Sequence, residues 1–201
     1  NFWFPLQLPS GNSHLLIRVD TTSTVFLPVF FSTYGASAQT QENLMAWNGA
    51  FYGMLFAMVF YNLFLFLSLR EATYFWYVAY GLNVGLLGAC FDGMLFKLLP
   101  DYTALQGVSI YILLFTQTLA AAQFSRHFLH TKDFFPRLDA GLRLAMLVIL
   151  ALLLSGLLLD LQLWGALASL TLLSTSLALL LVGVFMCRQG GRYGPYYTLA
   201  W

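Results

Sequence analysis

WNGAFYGMLFAMVFYNLFLFLSLR, residues 47–70, carries no charge before its closing arginine. The uncharged run starts at Asn43 and ends at Leu69, ahead of Arg70-Glu71. Wound as a helix rising about 1.5 Å per residue, it covers roughly 40 Å, more than the ~30 Å hydrocarbon core of a bilayer. Small residues recur every fourth position (Gly49, Gly53, Ala57), and Tyr61 and the amide Asn62 sit inside the run. Solubility in lipid requires neither feature, so this is the first span of a packed bundle.

The whole chain supports that reading. Sixty per cent of residues are apolar, 8% are charged and the mean hydropathy is +0.75, which excludes an ordinary soluble domain. Four more uncharged runs follow: 72–91, 102–125, 144–159 and 161–187. The stretch between Arg143 and Arg188 carries one charge, Asp160, and is too long for one span, so DLQLWG (160–165) is expected to be a turn. Helices are expected over about 44–69, 72–91, 102–126, 138–159 and 163–187. Pro195 suits the first turn of a sixth helix, of which 195–201 is the start.

Residues 1–33 differ in character. HLLIRV (14–19) and TVFLPVFF (24–31) are short, rich in branched and aromatic residues, and separated by DTTS, a turn composition. Two strands do not make a stable domain. They are expected to close an extracytoplasmic β-sandwich, with 34–42 as a linker and 43–201 as the transmembrane domain. Because the chain opens on Asn-Phe-Trp and stops inside the sixth helix, it is expected to be a fragment. The fold class is therefore an all-α multi-pass bundle preceded by the last strands of a jelly-roll-like sandwich.

Orientation follows from the basic residues. With the N-terminus outside, Arg70, Arg126, Lys132, Arg137, Arg143, Arg188 and Arg192 fall on the inner side, while only Arg18 and Lys97 stay outside. Asp20, Glu42, Asp92, Asp101 and Asp160 fall outside. Trp47 and Trp164 are expected in the outer aromatic belt and Tyr74, Trp76 and Tyr77 in the inner one. Cys90 and Cys187 fall near opposite faces and do not pair.

Gly49, Gly53 and Ala57 form one small-residue stripe; Gly81, Gly85 and Ala89 form another. Lipid gives helices no hydrophobic reason to associate, so close backbone approach must supply it. Packing within the chain is the favoured reading of both stripes, and a sliding or homodimer interface is the alternative. Asn62, Asn83 and Gln117 are polar groups within spans and are expected to bond between helices or to relay a signal. No Asp, Glu, Lys, Arg or His lies deep in a span, which argues against an ion-coupled transporter. His127, His130 and Asp133 have metal-compatible spacing, but a solvated loop face is favoured. Ser155-Gly156 lacks a nucleophile elbow. No catalytic, cofactor-binding or metal site is expected. Nor is a nucleic-acid partner, since no basic cluster is interleaved with aromatics.

The series Gly53…Tyr61-Asn62-Leu63…Ser68-Leu69-Arg70…Tyr74…Tyr77…Tyr80 resembles the opening of the bacterial seven-transmembrane receptors with diverse intracellular signalling modules. Gly93…Pro100, Phe124…Phe128-Leu129, Arg188…Gly191-Arg192 and Tyr196…Ala200-Trp201 continue the resemblance. Gly11…Leu15-Leu16-Ile17-Arg18-Val19 is similar to the end of that family's outer sandwich. The resemblance implies a non-enzymatic sensor segment of a bacterial inner membrane. It would relay a carbohydrate or other small-molecule signal from outside to a cytoplasmic module in cis, such as a histidine kinase or a diguanylate cyclase. A transporter or channel subunit and a structural membrane anchor are the alternatives. The first would need an internal repeat or a broken helix, yet proline is absent from 43–96 and from 102–125.

Overall fold

The computed structural model describes residues 6, 11, 15–18, 29, 31–94, 102–188 and 194–200. By contacts the chain divides into two units, 1–45 and 46–201. Of the two expected strands, 15–18, 29 and 31 are described and none is in a strand; the remainder of both lies outside the described residues. The expected outer loop with Lys97 and Asp101 also lies outside them.

The helices are α1 (Tyr34–Leu69), α2 (Ala72–Phe91), α3 (Thr103–Phe128), the single turn α4 (Thr131–Phe134), α5 (Pro136–Leu154), α6 (Leu161–Arg188) and α7 (Gly194–Ala200). Five of them, all but α4 and α7, are long and apolar enough to cross a bilayer. The expected linker 34–42 is helical and forms the first turns of α1. Its alanines favour helix, it holds no proline, and the Thr40 hydroxyl donates to the Ala36 carbonyl 2.8 Å away within the coil. α1 ends at Arg70, whose φ of +58° is left-handed and whose N–H still reaches the Phe66 carbonyl at 2.8 Å.

α5 starts two residues before the expected position because Pro136 sits in its first turn, where a missing N–H costs nothing. The turn expected over 160–165 also falls earlier. A 3₁₀ turn, Ser155–Leu157, follows α5, and α6 is already helical at Leu161. Ser155 Oγ donates to the Leu152 carbonyl at 2.7 Å, tightening the chain before the reversal.

α3 is the central helix. In its most apolar window 39% of residues are buried inside the protein, against 6% in α1. Leu114, Phe115, Ala120, Ala121 and Ala122 are buried along it. Three clusters succeed one another along the bundle. Leu114 and Phe115 meet Ile149, Trp164 and Ala168; Ala121 meets Leu142 and Leu179; Leu129 meets Met186 and Tyr197. α3 thus touches α2, α5 and α6, while α1 packs against α2 among the described residues.

Trp164 does not belong to an interfacial belt. It is 4% exposed, its Nε1 donates to the Leu152 carbonyl at 2.9 Å, and Tyr111 meets it edge-on at 5.7 Å between ring centres. Gly156 and Gly165 make room for these rings: a Cβ on Gly156 would stand 2.4 Å from the Trp164 indole, and one on Gly165 would stand 2.4 Å from the Tyr111 ring.

Candidate functional site

The most polar feature among the described residues lies where α3, α4 and α5 meet. Asp139, in the first turn of α5, is 3% exposed. Arg126 grips its carboxylate with two prongs, Nε to Oδ1 at 2.8 Å and Nη2 to Oδ2 at 3.2 Å. Thr131 Oγ1, fully buried, donates to Oδ1 at 3.0 Å. Arg143, one turn further along α5, adds Nη2 to Oδ2 at 2.6 Å. Gln123 Oε1 in turn accepts from Arg126 Nη1 at 2.8 Å, which fixes the guanidinium plane. A buried carboxylate is tolerated only with such a full set of donors.

Local structure brings these groups together. His130 adopts a left-handed φ of +48°, which turns the chain sharply after α3 and seats Thr131 at the start of α4. Pro136 then begins α5 so that Asp139 faces back toward Arg126. One carboxylate therefore joins three consecutive helices. A cavity of about 340 Å³ beside it is lined by Glu71, Thr73, Arg126, His130 and Lys132, among others, so the α1–α2 corner lies at the same end of the bundle.

Arg126 and Arg143, expected to set topology, are here the cations that hold Asp139. Arg70, Lys132, Arg137 and Arg188 are exposed, and Arg192 lies outside the described residues. His127, His130 and Asp133 are also exposed, and among the described residues no group of three potential metal ligands converges. Neither Asp139 nor Thr131 is among the site residues expected from the sequence. The usable signal was an acid and a base at 139 and 143, four apart on one helix, at the mouth of a span.

The small-residue stripes divide. Gly81 and Gly85 face α1, where added Cβ atoms would meet Val59 at 2.7 Å and Leu55 at 3.0 Å. Gly88, rather than Ala89, continues the contact, meeting the Tyr52 hydroxyl at 3.1 Å. Tyr52 then donates to Asp92 Oδ2 at 2.6 Å and closes that end of the pair. Gly49 and Gly53 have nothing within 4 Å of a built Cβ, and Ala57 is exposed, so among the described residues nothing packs against the α1 stripe. Replacing Gly81 with Leu should cost about 1–3 kcal/mol by overpacking. Gly53→Leu should be neutral or stabilise by up to about 1 kcal/mol through helix propensity. Thermal unfolding in detergent should separate the two by the sign of the shift; equal losses would place the α1 stripe back in the core.

The polar residues also part company. Asn62 and Tyr61 form no bridge to a second helix in the hydrogen bonds described: Asn62 Nδ2 donates to the Met58 carbonyl of its own helix at 2.8 Å, and Tyr61 is exposed. The expected bond between helices is made by Asn83, whose Nδ2 donates to Thr116 Oγ1 at 2.8 Å and ties α2 to α3. Gln117 is buried on α3, 6% exposed, and its Oε1 has no hydrogen-bond partner among the described residues. At the far end of α3, Ser125 Oγ donates to the Ala121 carbonyl and so accepts from the Tyr197 hydroxyl at 2.7 Å, seating α7 against Gly183.

No curated protein and no solved structure matches the chain. A family model does. The model described as 7TM diverse intracellular signalling matches residues 44–201, from the first turns of α1 that lie within the long apolar run through the last residue. Five apolar helices of spanning length and a match over most of the chain make this a multi-pass membrane protein that belongs to the 7TM diverse intracellular signalling family of receptors.

Proposed function

We propose that the chain relays an extracytoplasmic signal through the inner membrane to a cytoplasmic signalling module in cis, with its N-terminus outside and the Arg126–Asp139 end in the cytoplasm. The Asp139 cluster carries this reading. A displacement of α3 must move α4 and α5 with it or break a buried, four-donor carboxylate, so motion in the membrane is delivered to the segment 129–137. Ligand bias between two such packings is sufficient for signalling. The partners of this reading are the bilayer, a carbohydrate or small-molecule ligand held by an outer domain that includes residues 1–33, the cytoplasmic module and, against the open stripe of α1, a second copy.

Orientation is tested first. A reporter inserted after Lys132 should show cytoplasmic activity and one after Lys97 periplasmic activity, and the reverse pattern overturns the topology. Relay is tested in the full-length receptor with Thr131→Val, which removes one neutral donor from Asp139. Protein level should stay near wild type while basal or ligand-stimulated output of the cytoplasmic module changes at least twofold. Unchanged output at normal abundance would leave the cluster a purely structural clamp.

A further inference from the structure

A second cavity, about 190 Å³, lies between α2, α3 and α6, lined on its polar side by Tyr80, Gln117, Thr118, Thr175 and Ser176. Leu172 and Leu179 complete the wall with aliphatic surface. None of these side chains is of the Asp, Glu, Lys, Arg or His type. Gln117 lies nine residues before Arg126 on α3, roughly 14 Å along the axis and well inside a span. Thr118 has already committed its hydroxyl to the Leu114 carbonyl at 2.8 Å. Gln117 has not: its Oε1 is buried and lacks a donor. An amide oxygen buried at that depth without a donor is costly, so the arrangement favours whatever donates to it. The volume exceeds the roughly 150 Å³ of an engineered apolar cavity that holds benzene.

We infer that this cavity is a binding site for an uncharged, hydrogen-bond-donating small molecule about one or two fused rings in size, oriented by donation to Gln117 Oε1. Charged ligands are excluded because nothing in the wall would neutralise them. Purely apolar ones forgo the hydrogen bond. Such a molecule reaches the site through the bilayer. The site stands apart from any outer-domain ligand and does not depend on the relay proposed above.

Indole, with one N–H donor on an apolar bicycle, is the probe, and benzofuran is the isostere that lacks the donor. With the full-length protein in lipid nanodiscs, indole should raise the unfolding midpoint in a saturable, concentration-dependent way. Benzofuran should need about ten times the concentration for the same rise, the worth of one hydrogen bond. Gln117→Met, close in size, should remove the difference between the two probes. Leu172→Phe, which narrows the cavity while sparing the amide, should abolish the saturable response to both, and it serves if the first variant fails to fold. Equal responses to indole and benzofuran in the wild type would mean partition into lipid and would overturn the proposal. So would no response to either, the result expected if another helix of the full protein fills the space.

Discussion

Asp139→Ala should destabilise the protein by about 3–5 kcal/mol, the cost of removing one partner from a buried ion pair and leaving the other charged. The uncompensated group is Arg126, whose side chain is only 15% exposed and cannot swing fully into water. Thr131, fully buried, loses its acceptor in the same step. Arg143→Ala touches the same carboxylate yet should cost only about 0–1 kcal/mol, because its side chain is 53% exposed and water can replace it. Asp139→Asn should fall between these limits, since the amide keeps an oxygen for one donor but no longer balances two guanidinium groups. Unfolding of the three variants in detergent, compared with membrane abundance in cells, checks the ranking. If Arg143→Ala proves as damaging as Asp139→Ala, the buried side of the cluster is not what holds α3 to α5.

How much of this was legible beforehand depends on what hydropathy can report. Spans are long apolar runs, so their existence follows from the chain itself, and α2 occupies the expected residues 72–91. Which face of a span is buried is another matter. Lipid-facing and protein-facing sides are equally apolar, so no amphipathic stripe distinguishes them. That is why the run 47–70 belongs to the most exposed of the five spans, and why α3, with its polar Thr116, Gln117 and Thr118, is the central one. Small residues suffered the same ambiguity. Gly53 and Gly85 sit in identical four-residue patterns, yet among the described residues only Gly85 has a neighbour. Asp139 stands at the entrance of a span, where a charge needs no buried partner. Its partner Arg126 lies on the preceding long helix and is brought back only by the reversal at His130.

Trp164 shows the same limit at the opposite end and leads to the second large effect. A tryptophan one turn into a helix suits an interfacial belt, but here two glycines admit it into the protein. Gly165→Leu should therefore cost about 3 kcal/mol, the upper end of the range for overpacking a close-packed core. The added Cβ alone would stand 2.4 Å from the Tyr111 ring, and Tyr111 is already held edge-on against Trp164. The ring cannot retreat without giving up that contact or prising α3 from α6. Gly165→Ala should show a smaller loss of the same origin. Tyr111→Ala should then rescue part of it, because the obstructing ring is gone. The double variant should be more stable than the sum of the two single losses by 1 kcal/mol or more, within the range of about 0.5–3 kcal/mol found for residues in direct contact. Strict additivity in that cycle would show that Gly165 is small for a reason other than Tyr111. Rescue would establish that the glycine, the tyrosine and the buried indole form one packed unit joining α3, α5 and α6.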